Sequence, residues 1–152
     1  YVPAIMIVMN VVYAAMAYPA GAAADRVSAR MLLVAGLAML IAGDIVLAIA
    51  RTAASAFAGA VFWGLHMALT QGLLSKLVAD AAPLNLRGTA FGFFHLVSGV
   101  ALLLASLLAG SLWDAFGAPA AFAAGACFAA LAAAGLLFYR PKHGAMTQGA
   151  GA

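Results

Sequence analysis

The sequence predicts an all-α, polytopic membrane protein with five transmembrane helices. Three observations carry that expectation. Of 152 residues, 68% are hydrophobic and 7% are charged, where soluble domains carry roughly 25% charge and about 45–50% apolar residues. The mean hydropathy is +1.13, so no water-soluble core of this size hides the apolar surface, and the solvent must be lipid. The charged residues also gather in short breaks between long apolar runs. The clearest break is Gly21-Ala-Ala-Ala-Asp25-Arg26-Val-Ser-Ala-Arg30, with about twenty apolar residues on either side.

The elements follow in chain order. Residues 1–24 form the first span, closed by Asp25. A hydrocarbon core of ~30 Å needs about 20 helical residues, and this run supplies them. Pro19 sits inside it, removing one helix hydrogen bond in a way that neighbouring helices can tolerate. Met6, Asn10, Tyr13 and Ala17 share one face at helical spacing. The second span, residues 31–50, contains Asp44 and ends at Arg51. The third, residues 53–79, contains Trp63, His66, Thr70, Gln71 and Lys76. Asp80, Pro83, Asn85 and Arg87 make the next connection, with Pro83 disfavouring helix at the residue before it. The fourth span covers residues 88–112 and closes at Trp113-Asp114. Gly117-Ala-Pro119 is a turn, and Pro119 suits the first turn of the fifth span, residues 119–139. Arg140-Pro-Lys142-His143 ends that span, and residues 144–152 read as a flexible tail. The chain opens on Tyr1 without a basic leader, and is expected to be a piece of something longer.

Basic residues set the expected orientation. Arg26, Arg30, Lys76, Arg87, Arg140 and Lys142 fall on one side, and Arg51 alone falls on the other. Positively charged loops stay in the cytoplasm. The Asp25 turn, the Pro83 connection and the C-terminus are therefore expected inside, and the N-terminus and the Trp113 turn outside, in a bacterial-type inner membrane. Tyr1, Trp113 and Tyr139 suit the aromatic belts at the two interfaces. Gly88 and Gly92, Ala105 and Ala109, and Ser106 and Gly110 each stand four apart. Small residues at this spacing let helix backbones approach, so the fourth helix is expected to pack tightly inside a bundle.

Several chemistries are not supported. Glu is absent and Lys is rare, which argues against a solvated surface and against nucleic acid as a partner. Cys127 stands alone in an apolar run, so there is no disulfide framework. The sequence has no Gly-x-Ser-x-Gly, His-Glu-x-x-His, paired Cys or phosphate-cradling Gly-x-x-x-x-Gly-Lys-Ser/Thr pattern. No cofactor is implied, and the chain carries no loop that would hydrolyse ATP.

Three stretches carry a family resemblance. Gly21, Asp25, Arg26 and Arg30 resemble the Gly-x-x-x-Asp-Arg-x-Gly-Arg-Arg loop of the major facilitator superfamily, with Ser28 and Ala29 in place of the usual Gly and Arg. Ala79-Asp80-Ala-Ala-Pro83 followed by Leu86-Arg87-Gly88-Thr89-Ala-Phe-Gly92 is similar to the family's connection between its tenth and eleventh helices. Leu108-Ala-Gly110-Ser-Leu-Trp113-Asp114-Ala-Phe116-Gly117 is similar to the turn between its eleventh and twelfth. The resemblance implies an incomplete C-terminal helix bundle, helices eight to twelve, separated from its N-terminal half. It implies secondary transport of a small-molecule substrate by alternating access, with H+ as a possible coupling ion.

The resemblance also suggests roles. Gly21, Asp25, Arg26, Arg30, Arg87 and Gly88 would form a cytoplasmic latch. In it, the Asp25 carboxylate faces the N-terminus of the helix that begins near Gly88, where partial positive charge stabilises a carboxylate by about 0.3–2 kcal/mol. Asn10, Tyr13, His66, Thr70, Gln71 and His95 would line the transport path. Read from spacing alone, Asp44 stands two turns from Arg51 on the same face, as a structural ion pair would. An intramembrane carboxylate is also a functional candidate by default. Two other readings stay open: a non-transporting membrane bundle, and an intramembrane enzyme built on His66, His95 and Asp44.

Overall fold

The computed structural model describes residues 2–138. Tyr1, Tyr139, Arg140, Lys142, His143 and the tail at 144–152 lie outside the described residues. Five long helices account for nearly everything else: α1 (Val2–Ala24), α2 (Ala29–Ala48), α3 (Ala53–Ala81), α4 (Arg87–Phe116) and α5 (Ala118–Phe138). A single 3-10 turn, Leu84–Leu86, precedes α4. All five helices are long and apolar enough to cross a membrane.

Local chemistry fixes the ends. Ser28 caps α2, its hydroxyl accepting from the Met31 amide at 3.3 Å, so α2 starts two residues before its apolar run. Thr52 caps α3 in a reciprocal box. Its hydroxyl accepts from the Ser55 amide, and the Ser55 hydroxyl oxygen accepts from the Thr52 amide, each at 3.2 Å. α4 runs past Trp113 to Phe116, where Gly117 stops it at φ 83°, a left-handed backbone that glycine adopts without strain. Pro19 lies within α1 without ending it.

The helices do not pack in chain order. α3 is the hub, flanked by α1 on one side and α2 on the other, with a lighter contact to α4. α2 also packs against α5, and α5 against α4, so α2 to α5 form a ring and α1 leans on the outside of α3. α2 and α3 run antiparallel, with Gly36 opposite Thr70, Gly43 opposite Trp63 and Leu47 opposite Gly59. α1 and α3 run in parallel, with Met9 and Val12 against Gly64.

The interfaces are built on absent side chains. A Cβ at Gly36 would stand 2.5 Å from the Thr70 methyl, and one at Gly64 would stand 2.6 Å from the Met9 carbonyl oxygen. Lipid gives helices no hydrophobic reason to associate, so close backbone approach and dispersion hold them together.

The expectation of a tightly packed fourth helix is overturned. α4 has no buried residue, and a Cβ at Gly88, Gly92, Gly99 or Gly110 would meet nothing within 4 Å. Its small residues are spaced for packing, but among the described residues nothing lies against its glycines. The interfacial glycines are instead on α2, α3 and α5.

Candidate functional site

The polar side chains sort into three places. The first is the end of the bundle that holds the Asp25 turn. Lys76, five residues from the end of α3, places its Nζ 2.9 Å from the Asp25 carboxylate. Arg30, at the start of α2, donates through Nη2 to the Leu137 carbonyl in the last turn of α5. Pro141, four residues on in the sequence, has no N–H with which to give that carbonyl the usual helical bond. The loop and the first turn of α2 after it therefore reach both α3 and α5.

This geometry corrects the expected brace. The Asp25 carboxylate sits on the Lys76 ammonium rather than on the amides that open α4, whose first turn has no side-chain cap. The parallel register of α1 and α3 is the reason, since it brings the ends of both helices together. Arg26, Arg87 and Gly88 are exposed.

The second place is the seam between α2 and α3. The His66 ring is 2.9 Å from the Gly36 carbonyl through Nδ1. A carbonyl only accepts, so Nδ1 carries the proton. The Thr70 hydroxyl donates to the His66 carbonyl at 2.8 Å, and its methyl lies over Gly36. Both side chains face α2. The His66→Ala change is expected to cost about 0.6 kcal/mol, and up to ~1.7 kcal/mol, the measured range for hydrogen bonds between membrane helices. The check is the denaturant midpoint of the protein in detergent; an unmoved midpoint would remove this contact from the account.

Asp44 belongs to the same seam and corrects a second expectation. It is 3% exposed, and its Oδ1 accepts from the Trp63 indole N–H at 3.0 Å. Among the described residues Lys76–Asp25 is the one ion pair, so Asp44 and Arg51 are not brought together. Asp44 points inward at α3 and α5, whereas Arg51 lies beyond the α2 cap at Ile49, exposed. Trp63 is the partner that sequence reasoning missed. The only signal was a lone indole donor and a lone carboxylate, each in the half of its helix nearer the Thr52 turn.

The third place is the open surface. Tyr13 lines a groove of about 190 Å³ between α1 and α3, with Ala17, Gly21, Ala68 and Gly72 along it and the Asp25–Lys76 pair at its end. Asn10 lies on the neighbouring face of α1, exposed, with its amide donating to the Met6 carbonyl of its own helix at 2.8 Å. Gln71 is exposed on α3. His95 is exposed on α4 between Phe91 and Phe94, at ring separations of 6.3 and 5.4 Å. The six path candidates thus divide: His66 and Thr70 into a helix seam, Tyr13 into a groove, and Asn10, Gln71 and His95 onto open faces. His66, His95 and Asp44 form no common cluster, and the described residues contain no group of His, Cys, Asp or Glu able to hold a metal ion.

Five apolar helices, packed through glycines, define a multi-pass membrane protein. The Major Facilitator Superfamily profile matches residues 2–151, and the chain belongs to that family. It is 31% identical over 112 residues to the uncharacterized MFS-type transporter MJ1317 of Methanocaldococcus jannaschii. That alignment covers 72% of this chain and 28% of the relative, so the chain spans well under half of the relative's length. No solved structure matches it significantly.

Proposed function

We propose that this chain provides helices eight to twelve of a secondary transporter that carries a small solute across the cytoplasmic membrane by alternating access, coupled to protons. The observation that carries the reading is that α1 and α4 have no buried residue, so each keeps an uncovered face beside the one it packs with. Both present long apolar faces with a few polar groups, among them Asn10 and His95. Such faces suit helices that meet the other half of a transporter across a shared pathway. The MFS-type relative supports a transporter, and its greater length leaves room for that second half.

The orientation follows from the charges. Arg26, Arg30, Lys76 and Arg87 collect at one end of the bundle, and that end is assigned to the cytoplasm. The Asp25 turn then acts as a cytoplasmic latch between α3 and α5. Asn10, Tyr13, Gln71 and His95 contribute to the pathway, with His66 and Thr70 supporting it from behind. The test is reconstitution of the full-length gene product in vesicles with an imposed pH gradient and a panel of small solutes. Solute-dependent proton movement is the expected result. Solute uptake indifferent to the gradient overturns the coupling, and gradient-driven flux through this chain alone overturns its assignment as part of a larger transporter.

A further inference from the structure

We infer that the furrow between α1 and α3 binds an apolar α-amino acid, its zwitterionic head on the Asp25–Lys76 pair and its side chain along the furrow. The assignment rests on the proposed solute pathway, to which Tyr13 belongs. The two helices touch at two levels and part between them. At the first, a Cβ at Gly64 would stand 2.6 Å from the Met9 carbonyl oxygen. At the second, Lys76 meets Asp25 at 2.9 Å. Between these levels a Cβ at Gly21 or Gly72 would meet nothing within 4 Å. The space left is the groove of about 190 Å³, with Tyr13 at one end and the ion pair at the other.

Small residues make the furrow. Ala17 and Gly21 line it from α1, and Ala68 and Gly72 from α3, so neither wall reaches across. Ala68 and Leu73 are buried and give it an apolar floor. At ~30 Å³ per water it holds about six waters' volume, the size of a small aliphatic amino acid rather than of a larger solute.

The ion pair has binding capacity left over. Lys76 Nζ spends one of its three donors on Asp25 Oδ1. Among the described residues, Asp25 Oδ2 and the other two donors have no hydrogen-bond partner, and both side chains are open to a ligand. An α-amino acid at neutral pH carries one charge of each sign. Its ammonium meets Asp25 Oδ2, its carboxylate meets Lys76, and the four charges alternate in a ring. A simple cation or anion satisfies one pole and is repelled by the other. Apart from the Tyr13 hydroxyl, the rest of the lining offers no polar side chain, so the part of the ligand that lies along it is apolar.

The test is equilibrium binding to the full-length protein in phosphatidylcholine vesicles, with no gradient imposed. The probes are alanine, 2-aminobutyrate, norvaline and norleucine, each one methylene longer than the last. Affinity is expected to rise about fourfold per added methylene. Pentylamine and hexanoate, which lack one pole each, are expected to bind severalfold more weakly than norleucine, as is norleucine to Asp25→Asn. Gly72→Leu fills the furrow from a position whose Cβ has open space, and is expected to flatten the series. If Gly72→Leu disturbs the fold, Ala17→Leu fills the furrow from the other wall. A series that is flat in the native protein overturns the site, as does one that survives both fillings. Displacement of norleucine by added phosphatidylethanolamine assigns the furrow to a lipid headgroup and overturns the amino acid. A protein that binds norleucine in this way but moves no solute keeps the site and loses the proposed function; one that moves other solutes and binds none of the four loses the site alone.

Discussion

Gly64→Ala is expected to destabilise the protein by about 1–3 kcal/mol, the usual cost of forcing atoms into a packed interface. The added methyl group would lie 2.6 Å from the Met9 carbonyl oxygen and 2.9 Å from the Val12 Cβ. Neither is the far end of a flexible side chain, so α1 must move as a body. Since α1 packs extensively only against α3, no second interface holds it in register. Gly92→Ala is the control. It adds the same methyl group to α4, where nothing lies within 4 Å, and Ala exceeds Gly in helix stability by roughly 0.5–1 kcal/mol. The two changes should therefore have opposite signs in thermal unfolding of the protein in lipid or detergent. Equal losses at both sites would mean that α4 is as crowded as α3, against the packing described above.

Asp25→Asn is expected to reduce solute uptake severalfold with little change in thermal stability. The Asp25 side chain is 73% exposed and that of Lys76 47%, and exposed pairs contribute little to folding. The effect is expected on the balance between conformations, because the pair fastens the α1–α2 loop to α3 while Arg30, in the first turn of α2 beside it, reaches α5. The paired exchange Asp25→Lys with Lys76→Asp should recover much of the lost uptake, since it restores the attraction with its poles reversed. Uptake that stays at native levels in Asp25→Asn would end the latch proposal. An exchange variant that inserts normally but remains as slow as the single change would show that Lys76 is not the partner that matters.

The five helices were legible because hydropathy and charge act locally. An apolar run of the length of α2 or α5 has one stable form in lipid, and the caps at Ser28 and Thr52 lie beside the residues they serve. Which faces meet was not legible. The fourth helix has small residues at the right spacing, but in an alanine-rich chain this spacing recurs on every helix, and only the neighbour decides which set is used. The same limit hid the polar partners. Lys76 is 51 residues from Asp25; topology puts both on one side of the membrane, but nothing local signals that α1 lies against α3. Spacing pairs Asp44 with Arg51 because both are charged and two turns apart. The structure pairs it with Trp63, 19 residues on, through a neutral donor that charge counting does not see. The division of the path residues has a related reason: His66 and Thr70 look available on a helical wheel until α2 is laid against them.

The seam at Gly36 has an evolutionary consequence. His66 is hydrogen-bonded there to a backbone oxygen, and a main-chain carbonyl is present whatever residue occupies position 36. Substitution cannot delete that acceptor; it can only displace it by adding bulk, beginning with the first carbon, which would meet the Thr70 methyl at 2.5 Å. Position 36 is therefore indifferent to polarity and intolerant of volume. Among homologous sequences it should drift no further than the smallest side chains, while the residue facing it at position 70 shrinks whenever it grows.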